Sequence, residues 1–272
     1  MDKLKFYFSP KCLLIITGAS QGFGKELAKQ FVSQYNRQFH EDSVLDNKIT
    51  VILIARNLNR LLSLSDELNS SNHSRVNVIT LAADLSLEDS IQSFENCLKN
   101  LNSSKFEHSI LIHNAGSVGN PSQLCCDVKV SDSIERSRYY RLNLYSIMEL
   151  TACFLSSKSI ENSHKHIINI SSLAAMKPFK GLLDYCVGKA AREAYFRHLA
   201  EEFQDSKTRI LNYAPGPLET EMFRLLQKEA KFIREDFLKM QPLKLEVSVA
   251  KLLKILESDQ YSNGCHIDYY DV

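Results

Sequence analysis

Leu13-Leu14-Ile15-Ile16-Thr17-Gly18-Ala19-Ser20-Gln21-Gly22-Phe23-Gly24 is the stretch that decides the fold. Leu13–Thr17 is apolar and partly β-branched, as a buried strand requires, and the amphipathic run Lys25–Tyr35 behind the glycines has the period of a helix. Glycines at such a strand-to-helix turn let the backbone approach a pyrophosphate, which then rests against the N-terminal dipole of the helix. The spacing is G-x3-G-x-G, not the commoner G-x-G-x-x-G, and a glycine turn also serves as a plain hinge. Its place at the first strand–helix junction favours the nucleotide reading.

The same alternation continues outward. Strands are predicted at Val51–Ala55, Val76–Leu81, Ser109–Asn114, His166–Ser171 and Thr208–Ala214, with a short last one at His266–Tyr270. Helices are predicted at Leu58–Asn69, Leu87–Leu101, Ser133–Ser156 (its first turns irregular), Tyr185–Phe203, Leu218–Lys239 and Ser248–Ser258. Strand runs such as VILIA and HIINI are apolar on both faces, as expected where helices cover both sides of a parallel sheet. The expected fold is therefore α/β, a Rossmann-like doubly wound parallel sheet of about seven strands. Asn36–Lys48 and Gly119–Asp132 read as insertions, but no linker divides the chain, so residues 1–272 form one expected domain.

Composition narrows the function classes. With 44% apolar and 24% charged residues the chain has ordinary globular balance, and a net charge of +1 offers no field to gather nucleic acid or anionic lipid. No run approaches the ~18 apolar residues of a membrane span. The charged start (Asp2, Lys3, Lys5) lacks the apolar core of a secretory signal, so the protein reads as cytosolic. Seven cysteines without C-x-x-C spacing read as free thiols, with a vicinal bridge at Cys125–Cys126 the less favoured alternative. No metal site is expected: His164 and His166 share their segment with no acidic or Cys partner and read as surface residues. His113 reads as a packed residue with one satisfied hydrogen bond.

The end of the second strand discriminates between nicotinamide cofactors. An acidic residue there suits a ribose 2′-hydroxyl, whereas a 2′-phosphate needs a cation. The strand ends Ala55-Arg56-Asn57, and Arg56 can fork onto a phosphate, which favours NADPH; a solvated arginine is the competing reading. Asp84-Leu85 follows the third strand where a carboxylate can accept from an adenine amino group, and Asn114-Ala115-Gly116 ends the fourth. Turn formation explains each of these equally well.

Tyr185 and Lys189, four residues apart at a helix start, share a face. An ammonium near the phenol favours phenolate and makes the tyrosine a better proton donor and acceptor near neutral pH. Ser172, thirteen residues before Tyr185 and just past the fifth strand, can bond the same substrate oxygen. A Tyr-x3-Lys pair is common by chance; joined to the glycine turn and this serine, it is not.

This set (TGASQGFG, Asn114-Ala115-Gly116, Ser172 and Tyr185-Cys186-Val187-Gly188-Lys189) resembles the short-chain dehydrogenase/reductase family over nearly the whole chain. The resemblance implies Tyr185 as general acid, Lys189 as ribose-binding partner that tunes it, Ser172 as carbonyl orienter and Asn143 as support for a proton relay. It implies cofactor contacts at Gly18, Ser20, Gln21, Gly22, Phe23 and Gly24, at Arg56, Asn57, Asp84 and Leu85, at Asn114, Ala115 and Gly116, and at Leu218, Thr220 and Met222. Lys177-Pro178-Phe179-Lys180-Gly181, Asn212-Tyr213-Ala214-Pro215-Gly216-Pro217-Leu218 and Gly264-Cys265-His266-Ile267-Asp268-Tyr269-Tyr270-Asp271 are similar to the sepiapterin reductase branch. That likeness implies NADPH-dependent reduction of a pterin side-chain carbonyl in tetrahydrobiopterin synthesis, a homodimer, substrate contacts at Ser171, Ser172, Tyr185 and Gly216, and Asp268 as pterin anchor. Gln21 departs from the pattern, because an Arg is usual there; discrimination for the 2′-phosphate is left more to Arg56. Lys228–Lys239 reads as a solvated helix face, or as a flap over the substrate. A broader carbonyl or diketone reductase and a non-catalytic NADPH-binding regulator are the competing functions; the intact Ser172, Tyr185 and Lys189 count against the second.

Overall fold

Strand β1 (Lys11–Thr17) is buried along nearly its whole length and pairs in parallel with both β2 (Lys48–Ala55) and β4 (His108–His113). The computed structural model describes residues 9–39, 48–70, 75–101, 106–204 and 207–271. With β3 (Val76–Ala82), β5 (His164–Ile170), β6 (Thr208–Ala214) and β7 (His266–Asp268), the strands form one parallel sheet in the order β3-β2-β1-β4-β5-β6-β7. The expected seven-stranded, doubly wound sheet is therefore what the chain forms. The strand order reverses between β1 and β4, and such a switch point opens a crevice at the carboxyl ends of the strands.

Alternation along the strands assigns side chains to two cores. Leu14 and Ile16 face a layer built from α1 (Gly22–Gln38), α2 (Leu58–Ser70) and α9 (Leu245–Ser258), through Leu27, Phe31, Leu61, Leu64, Leu252 and Leu256. Leu13 and Ile15 face the opposite layer of α3 (Asp89–Lys99), α5 (Ser146–Ser156) and α6 (Leu183–Glu202), through Phe94, Leu150, Phe154 and Phe196. Both faces are covered, which is why these strands carry almost no polar alternation.

Several boundaries differ from the sequence expectation. Strand β5 begins at His164, not His166, and this overturns the surface reading of both histidines. His166 is 1% exposed, its Nε2 lies 3.2 Å from His108 Nδ1, and the half-buried His164 stacks on His108 at 5.1 Å. Burial pushes His166 well below its ordinary value and His108 down to about 4, with the neighbouring imidazoles adding to both effects. The helix expected at Ser133–Ser156 is α4 (Ser133–Tyr140) and α5 joined by a π turn at Arg141–Tyr145, so its irregularity lies in the middle, not at the start. The expected helix Leu218–Lys239 is two helices, α7 (Glu221–Glu229) and α8 (Arg234–Lys239), and β7 ends at Asp268 because Tyr269 and Tyr270 enter a turn. Of the insertion expected at Asn36–Lys48, residues 40–47 lie outside the described residues; the ends belong to α1 and β2. Among the described residues no helix is long and apolar enough to cross a membrane.

Candidate active site

A cavity of about 1490 Å³ opens over the carboxyl ends of the strands. Its floor is the glycine turn. Gly18 (φ +67°) and Gly22 (φ +55°) take left-handed conformations that favour glycine, and a Cβ on Gly18 would stand 2.9 Å from Asn114 Nδ2. Asn114 braces the turn by donating to the carbonyls of Thr17 (3.0 Å) and Gly18 (3.1 Å), while Thr17 Oγ1 accepts from the Asn114 and Ala115 amides. Ser20, Gln21, Gly22, Phe23, Ala115 and Gly116 line the cavity. Gly24 is not among them: a Cβ there would meet Gly18 O and Asn114 Nδ2 at 2.5 Å, so its bare backbone serves close packing of α1 on the turn.

At one end stand Arg56, Asn57, Asp84 and Leu85. Asn57 Oδ1 accepts from the Arg60 amide (3.0 Å) and so caps α2. Asp84 Oδ1 accepts from the Ser86 amide (3.0 Å) and hydroxyl (2.7 Å), so a turn-forming role is realised there. Burial raises that carboxyl, but the Ser86 bonds and the charges of Arg56 and Arg138 outweigh it and hold Asp84 below its ordinary value.

At the other end the chemistry converges. Ser172 follows β5 and accepts from the Ala174 amide (3.2 Å), and its hydroxyl shares a hydrogen bond with Tyr185 from the first turn of α6. Lys189, one turn on, is buried; its Nζ donates to Ile170 O (2.8 Å) and lies 5.7 Å from the Tyr185 ring centroid. Burial raises Tyr185 above the ordinary phenol value, against the opposing Ser172 bond and Arg192 charge. Burial, aided by Arg192, pulls Lys189 well below the ordinary ammonium value. The expected lowering of Tyr185 by Lys189 is thus not the dominant effect here: desolvation is. Asn143, inside the π turn and 2% exposed, does not line the cavity. Its Oδ1 accepts from the Ser117 amide (2.9 Å) and its Nδ2 donates to Tyr139 O (2.9 Å), a positioning role for the backbone beside Gly116.

Three features escape sequence reasoning. Arg192 is fully buried and donates to Asn169 Oδ1 (2.8 Å), His113 O (2.8 Å) and Ala115 O (3.2 Å), pinning β4 and β5 behind Lys189. Burial takes its guanidinium down to about 10, still charged at neutral pH. Glu193, also buried, accepts through Oε1 from Ser171 Oγ and from His266 Nδ1 (2.7 Å), which fixes the protonated nitrogen of that ring and raises its pKa. Arg60 joins Arg56 at the exposed end. The only signal for Arg192 was its i+3 spacing from Lys189, which places both on one helix face.

The remaining expected contacts also line the cavity: Ser171, Gly216, Leu218, Thr220, Met222 and Asp268. Thr220 Oγ1 also caps α7 by accepting from the Phe223 amide (3.2 Å). Ile233, Phe237 and Met240, on and beside α8, also line the cavity, and Ile233 and Phe237 pack in one apolar cluster with Tyr185 and Met222. Asp268 is half-buried, its Oδ1 accepting from the Tyr270 amide (3.0 Å), while Ile267 packs into the α1/α9 core; the expected alternation of β7 holds.

Left-handed glycines beneath a brace of amides, cations at one end and a Tyr–Ser–Lys group at the other fit an extended dinucleotide with its reactive ring beside Tyr185. The family model for short chain dehydrogenases matches residues 13–231. Sepiapterin reductase of Xenopus tropicalis is 35% identical over 266 residues, covering 95% of this chain and 96% of that protein. The Rattus norvegicus enzyme is 34% identical over 267 residues, covering 95% and 96%. Among solved structures, L-sorbose reductase of Gluconobacter frateurii, complexed with NADPH and L-sorbose, superposes with a TM-score of 0.75 at 19% identity, covering 97% of each chain.

Proposed function

From the premise that this chain belongs to the short-chain dehydrogenase family, we propose that this oxidoreductase uses NADPH to reduce a side-chain carbonyl of a pterin, as a sepiapterin reductase does. The observation that carries the reading is the convergence of Ser172, Tyr185 and Lys189 on one cavity that Asp268 also lines.

When bound, a reduced nicotinamide would be the source of hydride for the carbonyl carbon. Tyr185, kept protonated by burial, gives its proton to the developing alkoxide, and Ser172 donates a hydrogen bond to the same oxygen. Lys189 stands behind Tyr185, oriented by Ile170 O, where it can bind ribose hydroxyls and return a proton to the phenol. Gly18, Ser20, Gly22 and Phe23, with Leu218, Thr220 and Met222, line the cavity where they would hold the dinucleotide, and Arg56 would bind its 2′-phosphate. Asp268 accepts from a pterin's adjacent amino and ring N–H groups, a paired donor edge that simple diketones lack. Asn143 positions the backbone of the site.

A homodimer is part of the same proposal. Tyr145, Met148 and Val187 are exposed apolar residues on the π turn, α5 and α6, the kind of face that pairs across a two-fold axis. The test is NADPH oxidation with sepiapterin measured beside a panel of diketones. Strong preference for sepiapterin is expected; turnover of diketones alone would replace the pterin assignment with general carbonyl reduction.

A further inference from the structure

Gln21 brings no charge to the cofactor groove, yet its side chain is not idle. Its Nε2 donates to Glu221 Oε2 (2.8 Å), and its Oε1 accepts from Arg60 Nη1, which itself stands 3.9 Å from Glu221 Oε1. The glycine turn, the first turn of α2 and the first turn of α7 thus meet at one point on the groove. Arg56, Asn57, Arg60, Gln21 and Glu221 all line the same cavity end, and Asn57 anchors the Arg60 amide. Arg60 is half-exposed, so its guanidinium is free to exchange partners, and an exposed ion pair at 3.9 Å is weakly held.

We propose that Arg60 is a second determinant of specificity for the 2′-phosphate, acting with Arg56 in place of the cation that Gln21 does not supply. A guanidinium presents paired donors to a phosphate, and a dianion is a stronger acceptor than the single distant carboxylate it would displace. Gln21 becomes a positioning residue: its amide oxygen aims Arg60 along the groove. Glu221 competes for the same donors and weakens the site when the phosphate is absent. The inference rests on the nicotinamide-cofactor reading of this cavity.

The experiment measures Kd for NADP+ and NAD+ by calorimetry, with four proteins. Wild type should favour NADP+. Arg60→Ala should weaken NADP+ about tenfold, the lower end for a lost charge-assisted bond, and leave NAD+ unchanged. Adding Gln21→Arg to Arg60→Ala should restore NADP+ affinity, a rescue that a merely structural role for Arg60 would not give. Glu221→Gln should tighten NADP+ without affecting NAD+. Equal losses for both dinucleotides, or none for either, in Arg60→Ala overturns the assignment while the Arg56 reading stands. A wild type that binds both equally overturns the 2′-phosphate reading itself, and this assignment with it.

Discussion

The two ends of the cavity are held in opposite ways. Arg56, Asn57 and Arg60 are exposed, and Arg60 is held by the Asn57 and Gln21 side chains. Around Lys189, by contrast, Ser171, Arg192 and Glu193 are buried, and each bonds to at least one other element. A buried polar group must be satisfied or it costs stability, so the reacting end is fixed by its surroundings. An exposed group can shift, so the cofactor-selecting end can change by single substitutions without harm to the fold. In the proposed roles, chemistry and selectivity occupy environments of different rigidity.

The largest effect should come from the rigid end. Tyr185→Phe is expected to keep cofactor affinity and lose at least about a hundredfold in kcat, the scale of a missing general acid. Near-normal turnover would mean that another group delivers the proton. At the exposed end, Arg56→Ala should weaken NADPH by about ten- to a hundredfold while NADH is nearly unaffected, because only the phosphate contact is lost. Parallel losses for the two cofactors would reduce Arg56 to a structural residue. Between these ends, Asp268→Asn should raise KM for a pterin by about tenfold, one charge-assisted bond's worth, and change KM for a small diketone much less. Equal changes would show that Asp268 merely holds the Tyr269–Tyr270 turn.

The smallest effect concerns stability. His108, His113 and His166 all have lowered pKa values, mainly through burial, so the folded state prefers them neutral. Their contribution is fully present above the unfolded value of about 6.5 and is lost as pH falls, for His108 across the span down to about 4. His266 runs the other way. Glu193 raises it, so its contribution is present below about 6.5 and fades as pH climbs through its folded value. Thermal melts at pH 7.5 and 5 should show a lower Tm in acid, with a smaller drop in a His108→Gln/His166→Gln variant. A Tm that rises in acid would show that the His266–Glu193 pair dominates.

The sheet was legible because strands buried on both faces have little freedom in composition: VILIA and HIINI admit few other readings. The glycine turn and the Tyr185/Lys189 pair were legible because backbone approach and helix spacing restrict residue type and interval. Arg192 and Glu193 were not, since a charged residue on a helix looks the same in sequence whether it faces water or a strand end. The start of β5 was set two residues late because the polar pair His164-Lys165 precedes the apolar run that His166 opens. The π turn was hidden because an apolar helical pattern continues through Leu142–Leu144 while the backbone accommodates an extra residue. Arg60 was passed over because its partner, Glu221, is 161 positions away in sequence, and only the folded groove brings the two together.

Strand β7 contributes three pairings at the sheet edge, Asn212↔His266, Tyr213↔Ile267 and Ala214↔Asp268, and is then tied down by Lys251 Nζ on Tyr269 O (2.6 Å) and His266 on Glu193. It brings the Asp268 carboxylate, the proposed substrate anchor, to a cavity whose proposed reacting groups come from the end of β5 and from α6. The molecule is therefore modular in a way useful to an engineer. Exchanging 266–271 as a cassette, with His266 and Ile267 retained as its fastenings, would redirect which carbonyl is accepted while the proton donor and the dinucleotide groove stay as they are.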